Sequence, residues 1–344
     1  MDQFALDHAN FSCLLWENGD HTRAVQEMVQ ARDLDPDNGL YHLNLGRYLE
    51  AQGRYVDTWD EYARSLSCQP VYLRSGYWQQ TELRREHRPT ILAQAMDRLA
   101  KGSPSLRQAY LYTLVGDFPE AWRVYEALLQ TAGASDRVRI GRAEVLLARG
   151  KPDQALAELE AAIALNPQAA WDYYYRGAIY LKQNRLHEAA QNTEAALFLA
   201  SEPAFYYQSG QIARLQGDIQ KALRQYEAAV ARAAFHFSTR YAVEVAKRPP
   251  LAEECLPCLT IPRVTDDLVL PTLAEGELLK QEGQWLAAAQ VHRRLLTYEP
   301  DETRVKEKLE QLCRQHPEGC PDGPVQSRKA SPDVYGRNRG YIEP

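Results

Sequence analysis

The sequence predicts an all-α fold, a solenoid of short helix pairs stacked along the chain. Three aligned columns predict it. Gly19, Gly53, Gly116, Gly150, Asn184, Gly217 and Gly283 recur at spacings of 34, 63, 34, 34, 33 and 66 residues. Four spacings lie within one residue of 34, and the other two are close to a doubled period, so each hides a degenerate unit. Seven residues before each of these stands a small side chain: Ser12, Gly46, Ala109, Ala143, Gly177, Gly210 and Gly276. Five residues after it stands Ala24, Thr58, Ala121, Ala155, Ala189, Ala222 or Ala288.

Each column has a physical reading. Two helices that cross closely need small residues at the crossing, because a larger side chain holds the backbones apart. The residue between the helices must end the first one, and a left-handed backbone does so most cheaply at glycine. Leu45, Leu49, Met28, Tyr62, Tyr125, Leu159, Tyr180 and Tyr226 fill the rest of the seam. Pro36, Pro70, Pro167 and Pro300 stop the second helix of four units.

In chain order, units start near residues 5, 39, 102, 136, 170, 203 and 269, seven in all. Degenerate units fill about 73–101 and 237–268. Residues 302–315 read as a polar helix closing the stack, since a terminal repeat otherwise exposes its apolar face. The repeats thus span 1–316. From Pro317 to Pro344 proline and glycine alternate, which predicts a disordered tail over 317–344.

Composition narrows the function. Hydrophobic residues at 45% and charged residues at 25% suit a folded chain, and a net charge of -6 argues against nucleic acid as partner. No apolar run approaches the roughly 18–20 residues that span a bilayer. The first residues, MDQFALDHANFSC, lack a basic-then-apolar leader pattern. There is no Gly-rich phosphate loop, no HExxH and no GxSxG, so neither an enzyme nor a cofactor is expected.

The columns resemble the tetratricopeptide repeat (TPR) family, whose pattern is W-x2-L-G-x2-Y…A-x3-F…P. The second unit reads His42-x2-Leu45-Gly46-x2-Leu49…Thr58-x3-Tyr62…Pro70, and the fifth reads Tyr173-x2-Arg176-Gly177-x2-Tyr180…Ala189. The resemblance covers roughly 5–316 and implies a right-handed superhelix of about seven clear and two degenerate repeats. It also implies a concave groove, lined by the first helices, that holds a protein or peptide partner. Groove positions in such units are the second, fifth, ninth, twelfth and thirteenth. Here they place Tyr110, Trp171, Tyr174, Tyr207, Gln211 and Arg214 in the groove. Aromatic rings give contact area at low entropy cost, and Arg and Gln orient a peptide backbone. One TPR subtype clamps a terminal carboxylate with Lys at the fifth position and Asn at the ninth. The pairs here, such as Leu43/Arg47, Tyr174/Ala178 and Tyr207/Gln211, do not fit it.

The departures from the repeat carry their own expectations. Trp78, Arg84, Arg85 and Arg88 read either as an anion or glycan site or as a solvated helix face with Glu82 and Glu86 as partners. Cys255-Leu-Pro-Cys258 is a lone CxxC. A zinc site wants four ligands, and the nearest others, Cys313, His316 and Cys320, lie across a whole repeat, so no metal is expected. Free thiols are the expectation, and a disulfide within 313–320 requires an oxidising compartment.

SGYWQQTELRR at 75–85, after YHLNLGRYLEAQGRY at 41–55, is also similar to the soluble TPR region of bacterial O-antigen ligase or polymerase proteins. That resemblance implies a membrane protein or a glycan as partner and a periplasmic or other extracytoplasmic, membrane-associated location. A chain complete as given would instead be cytoplasmic. The sequence leaves the oligomeric state open.

Overall fold

The computed structural model describes residues 3–131, 135–236, 266–299 and 302–321. The degenerate unit expected at 237–268 lies almost wholly outside them, as do Cys255, Cys258 and the tail from 322 onward. The described residues form sixteen α-helices and no strand of more than one residue. They divide into two compact units, with the boundary between Pro167 and Gln168.

The first unit holds α1 (Gln3–Glu17), α2 (His21–Leu34), α3 (Gly39–Ala51), α4 (Tyr55–Cys68), α5 (Glu82–Ala100), α6 (Leu106–Val115), α7 (Phe118–Thr131), α8 (Asp136–Ala148) and α9 (Pro152–Leu165). The second holds α10 (Ala170–Lys182), α11 (Leu186–Leu199), α12 (Pro203–Leu215), α13 (Ile219–His236), α14 (Asp266–Gln281), α15 (Trp285–Tyr298) and α16 (Thr303–Gln315). Within each unit a helix packs on the one before it and the one after it in the chain.

The seven turn residues identified from sequence are the seven described residues with positive φ, from 58° at Asn184 to 85° at Gly116. At each, the N–H one residue on donates to a carbonyl five residues back, for example Asp117 N to Tyr112 O and Arg185 N to Tyr180 O, both 2.9 Å. That bond satisfies a carbonyl the helix end would otherwise leave open. Asn184 is the one non-glycine in the set. Asparagine tolerates this backbone, whereas alanine sets its Cβ against the carbonyl. Asn184→Ala should therefore cost about 1 kcal/mol and Asn184→Gly should be nearly neutral. Thermal unfolding of the two variants checks this, and equal melting points would refute it.

The packing columns are buried throughout. Ala24, Thr58, Ala121, Ala155, Ala189, Ala222 and Ala288 are fully covered, and so are Ser12, Ala109 and the glycines of the small column. A Cβ on Gly46, Gly210 or Gly276 would meet the ring sixteen residues later, that of Tyr62, Tyr226 or His292, at 2.5–2.6 Å.

The degenerate segment after α4 has no first helix. Two 3₁₀ turns, Pro70–Arg74 and Gly76–Gln79, stand in its place and lead into α5. Trp78 is 1% exposed, its indole N–H donating to Tyr72 O at 2.7 Å and its ring set edge-on to Tyr62. Arg84 is 0% exposed. Its Nε donates to Glu50 at 2.9 Å, Nη1 donates to Tyr77 O, and the guanidinium lies 3.8 Å from the Tyr77 ring centroid. Neither side chain presents the face that the anion or glycan reading required: the ring and the cation are both used inside the unit. Arg85 and Arg88 sit farther out on α5.

At the other end of the chain, α16 turns Val305, Leu309 and Leu312 inward and its remaining polar side chains outward. Cys313 and Cys320 are joined by a disulfide rather than left as free thiols. The short 3₁₀ turn at Pro317–Gly319 brings them together, with His316 stacked 3.6 Å from the Trp285 ring.

Candidate binding groove

In the second unit, α12, α14 and α16 border an open cavity of about 290 Å3. Helical spacing explains its walls. Tyr207, Gln211 and Arg214 stand four and three residues apart, on one face of α12, and line it together. On α14 the same face carries Leu270, Leu273, Glu277 and Lys280. The α16 side adds Lys308, Gln311 and Leu312. Gly276 and the His292 ring, pressed together for want of a Cβ on Gly276, also line the cavity.

Three of the six groove residues expected from sequence, Tyr207, Gln211 and Arg214, thus share one cavity. Trp171 and Tyr174 belong to a different cluster of the same unit, packed on the buried Phe205 with ring centroids 4.8 and 5.2 Å away. Trp171 keeps 41% of its surface exposed. Tyr110 lies in the first unit, where burial pushes its hydroxyl above the ordinary tyrosine range against the opposing pull of Arg74.

The α14 and α16 residues were missed, though a signal existed for the first group. Counting the same five groove positions from residue 269 gives Leu270, Leu273, Glu277, Lys280 and Gln281, and all five line the cavity. Lys308 and Gln311 carried no such signal, because a polar helix face reads as solvated whether or not it borders a groove.

Electrostatics in the site follow from burial. Burial raises the Tyr207 hydroxyl, and Arg214 partly opposes it. Burial, with Lys308 nearby, lowers His292 to about 4, so its ring is neutral near pH 7. Behind the groove, burial raises the Glu275 carboxyl to about 7. Arg294 at 3.7 Å is too distant and too exposed to reverse that.

The two groups act on stability with opposite sign. Glu275 binds its proton more tightly when folded, so its contribution is complete below about 4.5 and is lost as pH rises through about 7. His292 binds its proton less tightly when folded, so its contribution is complete above 6.5 and is lost as pH falls toward about 4. Glu275→Gln removes the first effect alone. Its stability relative to the parent chain should rise between pH 5 and 8 by on the order of 2–3 kcal/mol. Urea unfolding at the two pH values reads this, and a pH-independent difference would contradict it.

Three family models described as tetratricopeptide repeat match the chain, over residues 10–70, 112–175 and 203–236. A curated relative, the probable UDP-N-acetylglucosamine–peptide N-acetylglucosaminyltransferase SPINDLY of Hordeum vulgare, is 28% identical over 130 residues. That stretch is 38% of this chain and only 14% of the relative. Among solved structures, a tetratricopeptide repeat protein from Parabacteroides merdae has a TM-score of 0.43 at 18% identity, covering 74% of this chain and 98% of its own. The Cut9–Hcn1 hetero-tetramer of the APC/C has a TM-score of 0.48 at 15% identity, covering 85% of this chain and 49% of its own. No described helix is long and apolar enough to cross a membrane. Paired helices at a 34-residue period and a left-handed residue at every turn agree with the three family matches: residues 10–70, 112–175 and 203–236 match tetratricopeptide repeats.

Proposed function

We propose that the chain is a non-catalytic interaction scaffold that captures an extended peptide or partner segment in the groove of its second unit. The observation that carries this reading is the open cavity bordered by α12, α14 and α16. It combines apolar walls from Leu270, Leu273 and Leu312 with the amides of Gln211, Gln281 and Gln311. An extended peptide has free N–H and C=O groups along its length. Glutamine amides supply both the acceptors and the donors that such a backbone needs. Tyr207 adds an amphipathic ring at the wall.

The test is selection of displayed random dodecamers on the full chain, followed by titration of the enriched peptides. Saturable binding that falls at least about tenfold in Tyr207→Ala, with helicity retained, supports the reading; a loss of that size is what truncating an interface aromatic costs. Enriched peptides that bind Tyr207→Ala and the parent equally would place capture elsewhere.

The Cys313–Cys320 disulfide supports a setting outside the reducing cytoplasm for this scaffold. Alkylation of the protein as isolated from its source cells checks that. Two blocked thiols in the 313–320 peptide before reduction would speak against it.

A further inference from the structure

We propose that this groove selects acidic peptide segments, seating an Asp or Glu side chain among Arg214, Lys280 and Lys308. The inference rests on the groove being a peptide site and specifies what that site prefers.

Three cations reach the cavity from three different helices, and Glu277 is the one acid lining it. Glu277 lies 3.9 Å from Lys280, within one helix turn. Arg214 and Lys308 have no carboxylate partner among the described residues. That is informative in a chain whose net charge is -6. Several of its other arginines do find acids: Arg32 with Glu61, Arg84 with Glu50, Arg139 and Arg142 with Glu158, and Arg304 with Asp266. Arg214 and Lys308 are left over at one opening, on helices distant in sequence, beside an apolar floor.

A second observation points the same way. His292 is 5% exposed, lines the cavity, and has no hydrogen-bond partner at Nδ1 among the described residues. A buried polar atom without a partner costs free energy that a ligand group can recover. The neutral ring beside Lys308 can meet a peptide amide or a carboxylic acid without adding like charge to the three cations.

The chemistry favours a carboxylate on a peptide over a polyphosphate backbone. Three cations around an apolar floor match one or two carboxylates, whereas a nucleic-acid strand demands a long basic track. Leu273 and Leu312 call for apolar side chains flanking the acid, and the glutamine amides call for peptide bonds. The lysine–asparagine clamp pattern is absent from these helices, so the acid need not be a chain terminus.

The experiment uses the full chain and three probes: displayed random dodecamers, the same library on an Arg214→Glu/Lys308→Glu double variant, and a single-stranded 20-mer RNA. Both substituted side chains are exposed, so circular dichroism should match the parent. Asp and Glu should be enriched at least threefold in peptides selected by the parent. The double variant should lose those peptides by tenfold or more and select Lys and Arg in their place. Peptides that depend on Tyr207 but show no acidic enrichment would overturn this proposal while leaving groove capture intact. No enriched peptide of any charge would overturn both. RNA binding tighter than that of the best peptide would overturn the acidic-peptide reading in favour of a phosphate site.

Discussion

Arg84→Ala should destabilise the first unit by about 3–5 kcal/mol, the cost of leaving a buried carboxylate without its partner. Glu50 sits behind Tyr62, Tyr77 and Arg84, with the side chain of Arg84 fully enclosed and that of Glu50 nearly so. The Tyr62 hydroxyl donates to Glu50 and lies 2.7 Å from the Tyr77 hydroxyl. Burial opposes the charge on Arg84, but Tyr77, Tyr62 and Glu50 together hold it firmly cationic. Burial also raises both tyrosine hydroxyls, that of Tyr62 well above its ordinary range, so both stay neutral beside Glu50. Removing the cation alone therefore strands an anion in a low-dielectric site. Removing both charges should not. A Glu50→Leu/Arg84→Met pair should recover most of the loss, because apolar replacements of similar volume are often close to neutral. Urea unfolding with hydrogen exchange at α3 and α5 measures all three chains. A double variant as weak as Arg84→Ala would show that shape rather than charge holds the segment.

Gly46→Ala should cost about 3 kcal/mol, at the upper end for a single added methyl group in a packed core. The new Cβ would come within 2.6 Å of Cδ1 and Cε1 of Tyr62. That ring cannot retreat without breaking its hydrogen bonds to Glu50 and Tyr77. The same change at Gly210 meets Tyr226 at a similar distance. Its ring touches Tyr207 but carries no comparable network, so the cost should be smaller. At Gly177 the nearest atom is Thr193 Oγ1 at 3.2 Å, and an alanine there should cost least. The order Gly46, Gly210, Gly177 in melting-temperature loss is the measurable outcome. A uniform loss across the three would mean that helix spacing, not ring anchoring, sets the cost.

Most of the architecture was legible because its causes are local and repeated. A left-handed residue every 34 positions, and small residues seven before and five after it, are properties of a helix pair and need no knowledge of its neighbours. What escaped depended on partners far along the chain. Arg84 looked like one member of a basic run, and nothing near it in sequence reveals that Glu50, thirty-four residues earlier, encloses it. The replacement of a helix by two 3₁₀ turns removed the periodicity that would have marked Trp78 as core. Lys308 and Gln311 were hidden for the opposite reason. Their helix was recognised, but a polar face gives no sign of whether it borders water or a groove. Cys313 and Cys320 needed the turn at Pro317 to show that seven residues bring two sulfurs together.

The nearest-neighbour packing within each unit has a consequence for how the chain acquires its structure. Helices there touch chiefly those one or two places away in sequence. The loops that must close are short, so little chain entropy is lost before the first contacts form. Such low contact order places folding of each unit at the fast end for its size. It also makes the process divisible. A helix pair such as α1 and α2 can dock as soon as both have left the ribosome, without waiting for residues hundreds of positions later. Each new pair then finds an apolar face already prepared, and the stack lengthens in the direction of synthesis.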